Sequence, residues 1–237
     1  MSAERLDNPV YWALSEAHRE LAQIHGRVRR YPDDVAPFFA LPPAPTARDW
    51  QDAIELVPVG TFAAIVQGDG VAPAPWLLVR AFDVVQMTGE RVAGAPAPEA
   101  VALGRADVPE MLALVGETDP GPFLKRTIEL GRYVGIRREG RLVAMAGERL
   151  HLDGWTEISA VCTSAAYRGS GLAWTLIARL VVGIRSRGEQ PFLHVLTSNT
   201  GAIRLYEALG FQVRRQARID VLTPEPERRA VRGGASA

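Results

Sequence analysis

Several residue types are scarce in this chain, and each scarcity argues against a class of function. The single cysteine, Cys162, excludes an internal disulfide and any metal site built from several cysteines, which favours a reducing compartment such as the cytoplasm. The four histidines show no H-x-H or H-x-x-x-H spacing, so we predict no metal site. Lys125 is the only lysine among 27 basic residues, which balance 27 acidic ones. Without net charge, we expect neither nucleic acid nor an anionic membrane as a partner.

Long hydrophobic runs are missing as well. The longest uncharged apolar stretch, Leu56 to Gly68, is too short to span a bilayer and contains Pro58 and Gly60. The segment Met1 to Val10 carries charges and a proline where a signal peptide needs an apolar core. We therefore expect a cytoplasmic protein without a transmembrane segment. The 237 residues, 47% of them hydrophobic, permit one large core or two modest ones.

A stretch rich in proline, alanine and glycine divides the chain in two. Residues 93–100 lack any periodicity and resemble a linker. We predict a smaller N-terminal α+β lobe over residues 1–92, a main domain over 101–222, and a disordered tail over 223–237.

Apolar periodicity and turn residues predict an α/β fold with strands and helices in both halves. In the N-terminal half the predicted helices are one after residue 8 and 46–56, and the predicted strands are 35–41, 60–66, 76–82 and 84–88. In the main domain the predicted helices are one from residue 108, 120–130, 171–187 and 199–209, and the predicted strands are 101–105, 132–138, 142–149, 155–163, 192–197, 211–215 and 217–222.

The heptapeptide Y-R-G-S-G-L-A, from Tyr167 to Ala173, lies between an apolar β-type run and an amphipathic helix. Gly169 and Gly171 let the backbone turn sharply and approach a ligand, and the first N–H groups of the following helix lack partners within it. Together with the helix dipole and the charge of Arg168, these groups predict an anion site. The turn is not a dinucleotide-binding fingerprint, because Trp174 stands where the third glycine would be, and it lacks the Gly-Lys-Ser/Thr ending of a P-loop.

A second pattern, S-N-T-G-A-I-R-L-Y-E-A-L-G-F, runs from Ser198 to Phe211. Asn199, Ala202 and Tyr206 are three and four positions apart, so on a helix they share one face. Two interpretations stay open for each functional candidate. Asn199 is a helix N-cap alone or also a ligand contact, and Tyr206 is a packing aromatic or a functional phenol.

These two segments resemble the GNAT superfamily of N-acetyltransferases. R-G-S-G-L-A matches the acyl-coenzyme A signature Arg/Gln-x-x-Gly-x-Gly/Ala, and N-x-x-A-I-x-L-Y-x-x-L-G-F matches the segment downstream of it. The one departure is Ala173, where glycine is most common. The resemblance covers about residues 100–222 and implies a mixed, mostly antiparallel sheet flanked by helices. The resemblance also implies that the N-terminal half is similar to the degenerate first lobe of two-lobed relatives, the glycine N-acyltransferases.

The resemblance also implies how acetyl-coenzyme A would bind as co-substrate. The pyrophosphate would be held by the signature turn, which consists of Arg168, Gly169, Ser170, Gly171, Leu172 and Ala173. The pantetheine arm would run along the strand at Val161, Cys162 and Thr163, and Asn199 would contact it near the thioester. Tyr206 would donate a proton to the departing thiolate.

An amine acceptor must lose a proton before it attacks a thioester, so the reaction calls for a base. In related enzymes, including those that acetylate ribosomal protein N-termini, a glutamate at the position of Glu157 often serves directly or through water, and Glu148 is the reserve candidate. An ordinary strand-end carboxylate paired with an arginine is the competing interpretation of Glu157. Strand alternation predicts that Glu157, Ser159, Val161 and Thr163 share one face.

The remaining reactive residues are predicted to be structural. Cys162 is expected to be a buried packing cysteine rather than a nucleophile, and His194 a core histidine with satisfied ring nitrogens. The predicted function is transfer of acetyl from acetyl-coenzyme A to a small amine, an amino acid or a protein N-terminus. The alternatives are a non-catalytic acyl-coenzyme A binding module and a structural protein whose turn binds nothing. The oligomeric state is not predicted.

Overall fold

The computed structural model describes residues 3–66 and 71–225, which form five α-helices and eleven β-strands. The helices are α1 (Pro9–Ser15), α2 (Ala47–Leu56), α3 (Val108–Thr118), α4 (Leu172–Ser186) and α5 (Thr200–Leu209). The strands are β1 (Gln23–His25), β2 (Val28–Arg30), β3 (Phe39–Ala40), β4 (Ala63–Val66), β5 (Trp76–Thr88), β6 (Val101–Leu103), β7 (Tyr133–Arg138), β8 (Arg141–Leu152), β9 (Trp155–Thr163), β10 (Gln190–Leu196) and β11 (Gln212–Pro224). None of the described helices is long and apolar enough to cross a membrane.

Eight of the strands form one sheet in the order β4-β11-β5-β10-β9-β8-β7-β6, and β1, β2 and β3 form a small second sheet. Neighbours in the large sheet run antiparallel except for the parallel pair β9 and β10. The predicted α/β fold with a mixed, mostly antiparallel sheet flanked by helices is confirmed.

Strand β5 comes from the N-terminal half and lies between β10 and β11 in the middle of the large sheet. Residues 93–100 therefore connect two strands of one sheet, β5 and β6. The division into lobes at residues 1–92 and 101–222, and the likeness to a degenerate first lobe, stay predictions.

The two faces of the large sheet are covered by different elements. Helices α4 and α5 pack on one face through Leu176, Leu180 and Leu209, which meet Ile136, Ile158 and Leu193 of the sheet. Helix α3 covers one part of the opposite face, and the N-terminal segment of residues 3–40 covers another. We call these the α4 face and the N-terminal face.

Several predicted elements differ in extent from the observed ones. Residues 76–82 and 84–88 form the single strand β5, and residues 211–215 and 217–222 form the single strand β11, which has a bulge between Val213 and Arg215. Strands β5 and β11 pair with each other over most of their length, so both continue through the polar positions at which the sequence predicted breaks.

Other predictions fail where proline and glycine interrupt the backbone. Of the predicted helix 120–130, Thr127–Leu130 forms one 3-10 turn, because the P-G-P sequence at 120–122 cannot continue a helix. Of the predicted strand 35–41, which contains Pro37, Phe39–Ala40 alone is paired as β3. The predicted tail was wrong at its start, since Thr223 and Pro224 belong to β11, and residues 226–237 lie outside the described part of the chain.

Candidate active site

The turn between β9 and α4 has the conformation that its glycines predict. Gly169 and Gly171 both have φ of +78°, a left-handed conformation that favours glycine, and Gly171 is the N-cap of α4. A Cβ built on either glycine would meet no described atom within 4 Å. The glycines are therefore needed for backbone conformation, and the space in front of them is open. Leu172 is buried in the core, so it anchors the helix start and offers this space its backbone amide.

The backbone amides of residues 169–174 have no hydrogen-bond partner among residues 3–66 and 71–225. The first intrahelical bond at this end runs from the amide of Thr175 to the carbonyl oxygen of Gly171 at 3.0 Å. Residues 168–171 are exposed, whereas Leu172 is buried and Ala173 is half-buried. Among the described residues no atom lies in front of the two glycines and no group accepts these amides, so the turn provides the N–H groups that an anion site requires.

Two charged side chains hold this turn in place. One Glu117 oxygen, at the end of α3, accepts hydrogen bonds from the Ser164 hydroxyl at 2.7 Å and the Ala165 amide at 3.1 Å. The Arg168 Nε donates to the Thr163 carbonyl oxygen at 3.3 Å, which keeps the exposed guanidinium beside the turn. Glu117 was not singled out from the sequence, because its partners lie 47 and 48 residues away.

Strands β9 and β10 diverge next to this turn. They pair in parallel at three positions, of which Glu157 opposite Phe192 is the last in the described chain. Beyond it β9 continues to Thr163 and β10 to Leu196 without pairing to each other. The resulting gap opens towards the signature turn.

A bulge in β9 lies along this gap. Cys162 pairs with Met145 and Ser159 with Gly147, so Ala160 and Val161 both lie opposite Ala146. Ala160 adopts φ of +52°, which is unusual for a residue other than glycine. The predicted alternation is therefore wrong beyond the bulge. Val161 packs on the α4 face with Ile158 instead of sharing the face of Glu157.

Cys162 lies on the opposite face from Val161 and packs with the α3 cluster. Burial raises the pKa of its thiol to about 11, against a hydrogen bond from Thr118 that lowers it. A thiol with this pKa stays protonated at neutral pH and is a poor nucleophile, in keeping with the expected packing role.

Asn199 lies at the start of α5, and Tyr206 lies in its second half. The Asn199 Oδ1 accepts the Ala202 amide at 3.1 Å, so this residue is an N-cap, and its side chain is exposed. Tyr206 is buried against the α4 face and meets the Phe211 ring edge-on at 5.9 Å. Its hydroxyl has no hydrogen-bond partner in the described chain, yet it is not among the fully enclosed atoms without one. Burial raises the pKa of Tyr206 to about 12, so the phenol remains a proton donor at neutral pH.

Glu157 has no exposed surface and accepts three hydrogen bonds. Arg149 donates from Nε and Nη2, each at 2.8 Å, and the ring Nδ1 of His194 lies 2.7 Å from Oε1. Burial alone would raise the pKa of Glu157, but the charge and hydrogen bonds of Arg149 lower it, as does the hydrogen bond from His194. With a positive charge on His194 as well, the pKa is about 2. The carboxylate is ionised and fixed at the last paired position before the strands separate.

Glu148, the reserve candidate, lies on the other face of the sheet from Glu157. It is buried on the α4 face, 3.1 Å from Arg187 just beyond the C-terminal end of α4, whereas the signature turn lies at the N-terminal end. Burial raises the pKa of Glu148 against the opposing charge of Arg187. Helix α4 has 15 residues and so separates the two places by roughly 20 Å. Glu148 pairs with Ile158 and is therefore next to Glu157 in the sheet, but its side chain lies on the other face and far from the signature turn.

The comparisons with known proteins agree with this geometry. The family model for FR47-like proteins matches residues 133–219, which include β9, the signature turn and α5. One curated relative, the N-alpha-acetyltransferase RimI of Mycobacterium tuberculosis, is 36% identical over 126 residues, covering 47% of this chain and 76% of the relative.

Two solved structures extend the likeness over nearly the whole chain. A protein from Novosphingobium aromaticivorans, assigned to the GNAT family of acetyltransferases, is 38% identical with a TM-score of 0.85, covering 93% of this chain and 99% of that one. A GCN5-related N-acetyltransferase from Kribbella flavida shares the fold at 18% identity and a TM-score of 0.59, covering 92% and 95% of the two chains. Identity above 30% over most of the RimI and Novosphingobium chains means that this protein belongs to the GNAT family of acetyltransferases.

Proposed function

We propose that this chain transfers the acetyl group of acetyl-coenzyme A to a primary amine by direct attack within a ternary complex. The observation that carries the proposal is the signature turn, where the amides of residues 169–174 have no partner in the described chain and lie beside the gap between β9 and β10. A pyrophosphate bound there would leave its pantetheine arm in reach of that gap.

Each predicted contact has a place in this proposal. The amides of Gly169 to Ala173 and the Arg168 guanidinium would hold the pyrophosphate. The arm would follow β9 past Thr163, Cys162 and Val161, where their backbone has no partner on β10. The exposed amide of Asn199 would meet the arm from α5, with its Nδ2 group available since Oδ1 caps the helix.

The two proposed catalytic residues lie on opposite faces of the sheet. Tyr206 projects from the α4 face, where its protonated phenol would donate to the departing thiolate. Glu157 projects to the N-terminal face, together with Arg149 and His194. An amine that attacks from the N-terminal face would have Glu157 as its proton acceptor. A thiolate that leaves towards the α4 face would have Tyr206 as its proton donor.

The state of Glu157 limits how it would act as a base. To take a proton from a lysine ammonium, with a pKa near 10.4, a carboxylate with a pKa of about 2 must overcome about 11 kcal/mol. We therefore propose that the amine enters neutral. Its proton becomes acidic as the nitrogen bonds to the carbonyl carbon, and Glu157 then accepts it directly or through water.

This limit favours α-amines as acceptors. At pH 7 about one α-amine in ten is neutral, against about one lysine side chain in two thousand. The relative from Mycobacterium tuberculosis is named an N-alpha-acetyltransferase, which supports the same class. Peptide and protein N-termini are thus the acceptors that the site suits best.

Coenzyme A binding tests the first half of the proposal. Coenzyme A at a hundred times its Kd should stabilise the protein by about 2.7 kcal/mol in a thermal unfolding experiment. Free thiol released from acetyl-coenzyme A then measures turnover with two matched peptides, one with a free N-terminus and no lysine, the other with a blocked N-terminus and one lysine. Binding without turnover on any amine would indicate the non-catalytic module instead, and no binding would defeat both functions.

Replacement of Tyr206 by Phe tests the proton donor. Because its hydroxyl bonds to no described residue, the variant should keep its stability and its affinity for coenzyme A. Turnover should fall by about tenfold to a hundredfold. Tyr11→Phe is the matched control, since that hydroxyl lies on α1 and bonds to Arg29. Equal turnover in the two variants would remove Tyr206 from the mechanism.

A further inference from the structure

One row of polar side chains crosses five neighbouring strands on the N-terminal face. In sheet order it consists of Arg214 on β11, Gln86 on β5, His194 on β10, Glu157 on β9 and Arg149 on β8. The successive distances are 2.8 Å, 3.0 Å, 2.7 Å and 2.8 Å. We call these five residues the polar row.

The partners of Gln86 determine which way its amide points. The Arg214 guanidinium can only donate, so the Gln86 atom 2.8 Å away from its Nη1 is the carbonyl oxygen Oε1. The amide nitrogen then donates one hydrogen to the Leu6 carbonyl oxygen at 2.8 Å and the other to His194 Nε2. A ring nitrogen that accepts carries no proton, so the His194 proton resides on Nδ1 and is donated to Glu157.

Charged groups lie at both ends of the row. Arg149 pairs with Glu157 at one end, and at the other Arg214 and Arg215 both contact Asp7, at 2.8 Å and 2.9 Å. The phenols of Tyr31 and Tyr133 also face this area, and burial raises the pKa of both well above 10, so they are neutral. The His194 ring itself packs edge-on to Phe192 at 5.9 Å and has 4% of its side chain exposed.

We propose that Gln86 is a positioning residue that holds His194 as the neutral Nδ1–H tautomer and thereby leaves Arg149 as the sole cation on Glu157. This inference rests on the proposed function, since it concerns the group that would accept the proton of the amine. An imidazolium at His194 would place a second positive charge 2.7 Å from Glu157 and weaken that carboxylate as an acceptor. Because Gln86 also bonds to Leu6, the N-terminal segment takes part in setting this state.

Two substitutions separate the donor role of Gln86 from its volume. Gln86→Met keeps the approximate size and removes the N–H donor, so His194 becomes free to take up a proton beside Glu157. Its kcat at saturating acceptor should match that of the unmodified enzyme near pH 8 and fall by about tenfold towards pH 5, where the unmodified enzyme lacks this fall. Gln86→Glu replaces the donor by an acceptor, so His194 should stay charged and kcat should be about tenfold lower throughout. The KM for acetyl-coenzyme A should not change in either variant.

The ring nitrogens of His194 provide a readout that a purely structural role would not change. In the unmodified protein, nitrogen-15 spectra should show a protonated Nδ1 and an unprotonated Nε2. In Gln86→Glu both nitrogens should be protonated. Gln190→Met is the matched control. Gln190 is also a partly buried glutamine, and it lies on β10, the strand of His194, but it has no bond to His194. It should leave the spectrum and the pH profile unchanged.

The spectrum of the unmodified protein keeps the inference falsifiable even if the Gln86 variants do not fold. A charged His194 at pH 7, or a proton on Nε2, would overturn it, as would a folded Gln86→Met variant with an unaltered pH profile. If the unmodified protein neither binds coenzyme A nor acetylates any amine, the proposed function fails, while the spectrum still reports the tautomer separately.

Discussion

The signature turn and the polar row treat their polar groups in opposite ways. At the turn, six consecutive amides, residues 169–174, lack an acceptor in the described chain. In the polar row, the buried charge of Glu157 is met by three hydrogen bonds, and both nitrogens of His194 have partners. The turn is an open region, whose polar groups lack partners, and the polar row is a closed region, whose polar groups have them.

This difference separates binding from positioning. Unsatisfied donors at an exposed helix start cost little in water and gain partners when an anion arrives. A buried charge needs hydrogen-bond or ion-pair partners, because removing it from water costs several kcal/mol unless partners surround it. The open turn is thus suited to a ligand that comes and goes, and the closed row to fixing the charge and orientation of groups beside the gap.

The largest expected effect is on stability, and it comes from removing the carboxylate of the polar row. Glu157→Gln would leave Arg149 buried without its anion, which should cost about 3–5 kcal/mol of unfolding free energy. Urea unfolding measures it. Glu99→Gln is the control, since Glu99 and Arg138 are both about two-fifths exposed, and its loss should cost less than about 1 kcal/mol. Similar losses in the two variants would show that the polar row is not tightly closed.

The acid dependence of stability provides a second measure on the same variant. The pKa of Glu157 is about 2 in the folded protein against an ordinary 4.5, so its contribution is present above pH 4.5 and is lost as the pH falls towards 2. The difference corresponds to about 3 kcal/mol. Glu157→Gln should lack this part of the acid destabilisation. An identical pH dependence in both proteins would contradict the low pKa.

The next largest effect is on the affinity for coenzyme A, and it comes from placing a side chain in the open turn. Gly171→Val forces a β-branched residue into φ of +78° and places a side chain in front of the amides, so the affinity for coenzyme A should fall by about a hundredfold. Isothermal titration measures the affinity. Gly188→Val is a matched control just beyond the other end of α4, because Gly188 has φ of +77° and equally open space.

Both glycine variants should lose a similar amount of stability, about 1–3 kcal/mol, from backbone strain. Only the variant at the N-terminal end should lose affinity. If Gly188→Val weakened binding as much, the loss would reflect helix destabilisation, and the turn would lose its support as the anion site.

The sequence predicted the open region better than the closed one, for a physical reason. The turn is local: two glycines, a strand before them and a helix after them are contiguous from Glu157 to Ser186, and the boundaries of α4 and α5 were right to within about one residue. Conformation here depends on neighbours along the chain, which periodicity and turn residues describe.

The polar row depends on residues that are distant along the chain. Gln86 and His194 are 108 positions apart, and they meet because β5 enters the sheet beside β10. Neither Gln86 nor Arg149 was singled out, although both are polar residues within apolar strands, which is the one signal that sequence offers for such positions. The bulge at Ala160 was also missed, since no glycine marks it.

The smallest expected effect tests how firmly the open turn is held. Glu117→Ala removes the acceptor of the Ser164 hydroxyl and the Ala165 amide, so the turn should sample more conformations before it binds. The KM for acetyl-coenzyme A should rise about twofold to fivefold with kcat unchanged, as expected for an exposed contact that does not touch the reacting atoms.

Glu117→Gln keeps a carbonyl oxygen that can accept both bonds, so it should restore most of the affinity. Glu110→Ala, on the same helix, removes a partner of Arg137 and should leave KM unchanged. If Glu117→Ala bound coenzyme A more tightly instead, the repulsion between its charge and the pyrophosphate would outweigh its hold on the turn. The open region would then be rigid through its backbone alone.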